Sequence, residues 1–221
     1  MRKEFSRKDK KAPEVYFCTM ETTALQNTKL GLKLPTDPRW VNLAEMDMGE
    51  ILTDHAYCEQ KATTACISLI QSYPERIELV EALAPVVAEE WGHFRMVVNE
   101  LKKRNLALGR QRKDEYVNAL LKFQKKGGSR DEALLERLLT CALIEARSCE
   151  RFRLLSLHCA EEALRDWYHK FMVAEASHYR MFLDLAETYF GKDITWDRWQ
   201  EYLRHEADIM QELSPRGDRM H

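Results

Sequence analysis

Glycine and proline are scarce in this chain, with eight and six among 221 residues. Little of it can therefore be turn or coil, and no segment shows the apolar–polar alternation of a strand. No stretch reaches the roughly 20 apolar residues of a membrane span. The basic N-terminus lacks the apolar core of a signal peptide. Cys18, Cys58, Cys66, Cys141, Cys149 and Cys159 contain no C-x-x-C pair and no compact framework. They read as buried thiols in a reducing compartment, so the expected location is cytoplasmic. Net charge is also small, at −2. What remains is 45 % apolar and 32 % charged, a balance that suits a mostly helical soluble protein with one large domain.

The near-neutral total hides clusters. Arg2, Lys3, Arg7, Lys8, Lys10 and Lys11 crowd the N-terminus. Lys102, Lys103, Arg104, Arg110, Arg112 and Lys113 follow in the middle, and Lys122, Lys125, Lys126 and Arg130 continue the run. Such a face can meet a polyanion, or it can simply be solvated helix ends and loops.

Residues 1–40 read as an arm with a short helix near 19–28. Asn42-x-x-Glu45 has the form of a capping box, and a helix is expected from there to about Gln71. Ser72-x-x-Glu75 is a second such box and starts another helix, with Pro74 in its first turn and Pro85 predicting a kink. Residues 105–130 form a crossover connection with a short helix at about 113–126. Ser129-x-x-Glu132 opens the third long helix, to about Leu157, and the fourth runs from about 161 to 190. An accessory helix covers 195–213, and 214–221 is left as a tail. The predicted architecture is all-α, a four-helix bundle over residues 41–213 with accessory helices.

Two of these helices repeat one pattern, Glu90-Trp-Gly-His93 and Glu175-Ala-Ser-His178. Residues at i and i+3 share a helix surface, so each carboxylate and imidazole point the same way. An upstream glutamate on an apolar stripe precedes each pair: Glu59 before the first, Glu145 before the second. Glu59 lies thirteen residues before the turn at Ser72 and Glu90 eighteen after it. Around a turn near His158 the second half repeats this, with Glu145 thirteen before and Glu175 seventeen after. Two antiparallel hairpins would then present their acids at matching heights. Glu150 competes with Glu145, but five helical residues turn the chain by about 500°, so the two cannot share a face. The Glu145 stripe holds Leu138, Cys141, Ala142, Cys149 and Phe152. That of Glu150 holds Arg147 and Arg153, which suit water or a surface salt bridge.

One Glu from each of two helices and a Glu-x-x-His from each of the other two is the ligand set of ferritin-like bundles that hold two metals. Four unpaired carboxylates would each cost several kcal/mol to bury, whereas two divalent cations balance their charge. Oxygen and nitrogen donors without thiolates suit iron or manganese. The expected ligands are Glu59, Glu90, His93, Glu145, Glu175 and His178. A single Glu-x-x-His is common by chance on a charged helix. Two, each with an inward Glu at similar spacing, are not. His55, one turn before Glu59, reads as its hydrogen-bond partner or as a core histidine. Asp54 can orient a ligand imidazole only from off the inner stripe. Tyr168 and Tyr179 read as aromatic packing.

The segments His55-Ala-Tyr-Cys-Glu-Gln-Lys-Ala62, Glu89-Glu-Trp-Gly-His-Phe94, Leu143-Ile-Glu-Ala-Arg-Ser-Cys-Glu-Arg-Phe152 and Ala174-Glu-Ala-Ser-His-Tyr179 resemble the MiaE family of tRNA-modifying hydroxylases. The likeness spans residues 40–200. It implies a non-haem diiron site on these same six ligands, with O2 as co-substrate and an external electron donor of the ferredoxin/reductase type. The implied reaction hydroxylates the isopentenyl side chain of 2-methylthio-N6-isopentenyladenosine at position 37, in the tRNA anticodon loop. The middle cations, Lys102 to Lys113, would then contact tRNA. Related multicomponent hydroxylases carry Thr one turn after the third Glu, where this chain has Cys149. A ferritin-like oxidase or peroxidase and a metal-storage bundle are the competing readings.

Overall fold

A computed structural model describes residues 30–221. The expected helix at 19–28 lies outside the described residues. Among those described there are seven helices and no strand: α1 (Trp40–Met46), α2 (Met48–Ser72), α3 (Ile77–Lys103), α4 (Glu115–Phe123), α5 (Arg130–His158), α6 (Glu162–Phe190) and α7 (Lys192–Glu212). None is long and apolar enough to cross a membrane.

Local chemistry sets the breaks, though not always where the capping patterns place them. Asn42 and Glu45 lie inside α1. The chain breaks at Asp47, whose side chain accepts the Glu50 N–H (3.1 Å) and caps α2 instead. Glu45 instead accepts from Ala160 N at 2.6 Å, in the turn between α5 and α6. Ser72 still belongs to α2, where its hydroxyl donates to Ser68 O (2.7 Å), and α3 starts only at Ile77. Pro74 therefore sits in the turn. At α5 the box forms in full: Ser129 Oγ accepts from Glu132 N, and Ser129 N donates to Glu132 Oε2. Asp114 caps α4. Gly191 ends α6 at φ +79°, a backbone region open to glycine.

Helix α2 pairs with α3 and α5 with α6, two antiparallel hairpins that meet through α3 and α6. The residues between α3 and α5 cross the bundle and carry α4, which rests on α5 and α7. Two apolar clusters fill the ends. One gathers Leu79, Leu83, Leu138, Phe182 and Trp199. The other gathers Trp40, Leu52, Val97, Phe152 and Phe171. Between them runs a belt of buried acids and imidazoles.

The face of α5 that carries Arg147 and Glu150 is not solvated, as its charges suggest; both residues are buried. Residues 34–36 and α7 cover it. Arg147 donates to Glu206 (2.8 Å), to Glu150 and to Leu34 O (2.9 Å), and Glu150 accepts from Thr36 N and Oγ1. A second buried pair, Arg198 with Glu136 (2.7 Å), joins α7 to α5. Residues 214–221 fold back into the bundle. Trp40 Nε1 donates to the Arg216 and Arg219 carbonyls. Met220 N donates to Asp54 Oδ2 (2.9 Å), so Asp54 anchors this segment rather than an imidazole. Gly217 lies so close to the Leu43 carbonyl that any side chain there would collide with it.

Candidate metal centre

The six expected ligands come together in the middle of the four long helices. Glu59 comes from α2, Glu90 and His93 from α3, Glu145 from α5, Glu175 and His178 from α6, and none is more than 9 % exposed. They form two overlapping groups. Glu59, Glu90, His93 and Glu175 each bring one donor atom within 4.8 Å of the others, and so do Glu90, Glu145, Glu175 and His178. Glu90 and Glu175 belong to both. The two Glu-x-x-His acids thus lie between the groups, while Glu59 and Glu145 flank them. Each hairpin turn sets the height of one acid against another, and the repeated spacing makes the two halves alike.

His93 Nδ1 reaches Glu90 Oε2 at 3.4 Å, but other donor atoms are left unsatisfied. Glu90 Oε1 and His178 Nδ1 stand 2.7 Å apart without hydrogen-bond alignment, and Glu175 Oε2 is buried with no hydrogen-bond partner among the described residues. Buried polar atoms left in this way are costly. A cation accepting their lone pairs removes the cost, and the mixed carboxylate–imidazole set suits iron or manganese. The residues therefore fit a metal site.

Neighbouring groups orient the ligands. His55 Nε2 lies 2.6 Å from Glu59 Oε1, its ring held among Phe152, Phe171 and Tyr168. Glu89, which the ligand pattern does not mark, reaches His178 Nε2 at 3.1 Å and His93 Nε2 at 4.0 Å. A carboxylate on the outer nitrogen leaves Nδ1 facing inward. Its signal was present: Glu89 is four residues before His93, on an adjacent stripe.

A cavity of about 600 Å³ borders Glu59, Glu145 and Glu175. Its walls are Ala62, Ala65, Cys66 and Leu69 of α2, Cys141 and Ile144 of α5, and Phe182 of α6; α4 adds Val117 and Leu121. Lys61, Gln111, Gln124, Arg137 and His221 supply polar atoms. The size and mostly apolar lining are those of a small-ligand site.

Comparison with known proteins gives the family. The family model for tRNA-(MS[2]IO[6]A)-hydroxylase (MiaE) matches residues 23–221. The chain belongs to the MiaE family. A relative from Pseudomonas putida, tRNA 2-(methylsulfanyl)-N(6)-isopentenyladenosine(37) hydroxylase, is 34 % identical over 72 % of this chain and 76 % of its own. Its namesake from Salmonella typhimurium is 26 % identical over 83 % and 84 %. Among solved structures, a Synechococcus protein described as having aldehyde deformylating oxygenase activity superposes with a TM-score of 0.80. It shares 32 % identity and covers 86 % of this chain and 94 % of its own. The fold is ferritin-like.

Charge in this MiaE-family centre is organised around Glu90. Burial works to raise the Glu90 pKa, but the His178 and His93 imidazoles beside it pull it well below the carboxylate range. Burial likewise opposes charge on the imidazoles, yet the carboxylates win. Glu59 and Glu90 lift His93 to about 10, and Glu175 and Glu90 lift His178 to about 12. Burial, then the Glu90 charge, raises Glu175 to about 7 and holds Glu59 well above normal. Burial and the Glu175 charge do the same for Glu145. His55 is neutral, its pKa lowered to about 3 mainly by burial. A metal bound here would therefore have to displace protons from both imidazoles. Affinity is expected to climb with pH, by about tenfold or more per unit, as one or more protons leave per metal. Titrations with ferrous or manganous ion at about pH 6, 7 and 8 measure it, and a flat profile would sink the assignment.

The middle cations do not act as one cluster. Arg112 is tied to Glu50 and to Asp218 (2.9 Å) and donates to both their carbonyls, holding the segment 214–221. Arg104 pairs with Glu100 (2.9 Å) and Glu161 (2.6 Å), and Lys103 with Glu100 (3.2 Å). Lys102 is exposed on α3. Arg110 and Lys113 are exposed beside the cavity residues Gln111 and Asp114. Cys149 Sγ donates to Met172 O (3.4 Å), and burial raises its pKa to about 12.

Proposed function

We propose that this protein hydroxylates the isopentenyl side chain of 2-methylthio-N6-isopentenyladenosine at position 37 of tRNA. The carrying observation is the pair of donor groups sharing Glu90 and Glu175 beside an apolar cavity, in a chain of the MiaE family. Glu59, Glu90, His93, Glu145, Glu175 and His178 would hold two iron ions. When bound, these supply the redox chemistry that inserts one oxygen atom of O2 into a C–H bond, with electrons from an external ferredoxin/reductase-type donor.

The chain's own residues bind and orient the substrate. Ala62, Ala65, Cys66, Ile144 and Phe182 take the isopentenyl methyls out of water. Lys61, Gln111, Gln124 and Arg137 offer polar atoms to the purine and its ribose phosphate. The base has to be splayed out of the anticodon loop to reach so enclosed a place. Cys149 keeps its proton and donates it in a hydrogen bond to the Met172 carbonyl.

The decisive experiment is nucleoside analysis of tRNA after deletion of the gene, with turnover by purified iron-loaded enzyme on isopentenylated tRNA. The hydroxylated nucleoside should vanish on deletion and form in vitro. Its persistence in the deletion strain would reject the reading. Turnover of a long-chain aldehyde with none on tRNA would move the assignment toward the activity described for the Synechococcus protein.

With the base in this cavity, the anticodon loop would lie over α4 and its flanks. Arg110, Lys113, Lys122 and Lys126 are exposed there and have no ion pair among the described residues. They are the proposed phosphate contacts, while Lys102 and Lys103 line a separate cavity on α3. Lys122→Glu with Lys126→Glu should weaken tRNA binding across sequences. The slope of log affinity against log salt should fall by about 0.7–0.9 per contact removed. Filter-binding titrations at several salt concentrations read both. An unchanged slope, with a large loss from Lys103→Glu, would place the RNA elsewhere.

A further inference from the structure

Arg151, one helical turn beyond Arg147, is only 4 % exposed and has a different fate. Arg147 is saturated by Glu206, Glu150 and Leu34 O. Arg151 Nε and Nη1 are buried with no acceptor among the described residues. The nearby carboxylates are spent: Glu150 on Thr36 and Arg147, Asp37 on Arg39 (2.9 and 3.0 Å). The guanidinium lies 4.3 Å from the Trp40 ring, which offsets part of its charge but accepts no N–H in its plane. An uncompensated buried cation of this kind is among the most costly features a fold can carry.

The side chain lines a cavity of about 400 Å³ between residues 34–38, the end of α7 and the segment 213–216. Ser214, Gln211, Arg216 and His221 share that lining, so further donors surround the same space. Arg216 is half-exposed and bonded to Asp218 (2.9 Å). A guanidinium that keeps its charge and has N–H groups without acceptors suits an oxyanion, which brings both negative charge and several acceptor oxygens. Burial and the Arg147 charge lower the Arg151 pKa to about 9, which leaves it cationic at neutral pH.

We propose that this cavity binds a small phosphate-type oxyanion, with Arg151 as the buried anchor and Arg216 and Ser214 at its rim. The site is separate from the six metal-centre acids and imidazoles. Bound anion would tie residues 34–38 and 213–216 to α5, and His221 lines both this cavity and the one beside Glu59. The anion is either free phosphate or a phosphate of the RNA backbone.

Phosphate titration of the full chain by calorimetry, in chloride buffer of matched ionic strength, should give one saturable site. Melting of the wild type should rise by about 3 °C near saturation. Arg151→Met, which swaps the charge for a neutral chain of similar length, should melt no lower than wild type in chloride and lose the saturable gain. The comparison removes the general stabilisation that phosphate gives any protein. Arg216→Ala should weaken binding about tenfold without affecting folding. Release of bound phosphate by tRNA would identify the backbone as the source, and undisturbed binding the free ion. No saturable heat with the wild type, or an equal melting gain in Arg151→Met, would overturn the proposal.

Discussion

Glu90→Ala should strip both metals at once, whereas Glu59→Ala and Glu145→Ala should each remove about one. Glu90 is common to both donor groups; Glu59 and Glu145 each serve one. It is also the counterion of both ligand imidazoles, at 2.7 Å from His178 and 3.4 Å from His93. Its loss leaves neither group complete and frees both rings. Changing a residue that only orients a ligand costs about 10–100-fold in affinity or activity. Removing this shared carboxylate should therefore cost more than about 100-fold in hydroxylation. Metal per chain, measured by elemental analysis beside a circular dichroism spectrum, separates ligand loss from unfolding. One metal retained by a folded Glu90→Ala protein, or both lost from Glu59→Ala, would contradict the shared geometry.

The largest stability effect is expected away from the centre, at Arg147→Met. This fully buried arginine holds Glu206 and Glu150, both 3 % exposed or less, and ties residues 34–36 to α5. Methionine fills much of the volume but leaves two carboxylates without their cation. Breaking a buried pair from one side costs about 3–5 kcal/mol. For a domain of this size the melting point should drop on the order of 10 °C. Arg39, whose partner Asp37 is at the surface, provides the contrast, and Arg39→Ala should shift melting by no more than about 2 °C. Comparable shifts in the two variants, followed by calorimetry, would mean the buried network contributes little.

Both effects trace to the same bundle, yet they differ in how far the chain alone reveals them. The Glu-x-x-His pairs and their upstream glutamates are visible because a helix has a fixed period. Three- and four-residue steps put Glu59, Glu90, Glu145 and Glu175 on apolar stripes, and the hairpin lengths bring those stripes to one height. The choice of Glu145 over Glu150 follows from the same rotation. Capping was less legible. Ser129-x-x-Glu132 forms its box, but at Asn42 and Ser72 a competing side chain or a turn takes over, because several nearby polar groups can each satisfy the same free N–H groups. Glu89 was obscured by its neighbour, since in a Glu-Glu doublet the pattern alone marks only the residue on the inner stripe.

Spacing along the chain sets the four long helices, their pairing and which acids and imidazoles share the inner faces, though not every helix boundary. All of these depend on spacing within one element or across one short turn. What covers the other faces becomes visible only in the folded chain. Folding placed α7 and residues 34–36 over Arg147, brought 214–221 back to Asp54 and Arg112, and left Arg151 buried beside a cavity. It also made Glu90 and Glu175 common to both donor groups. The physical reason is that periodicity says which residues point together, while burial depends on partners far along the chain. A charged stripe looks the same in sequence whether water or another helix lies against it.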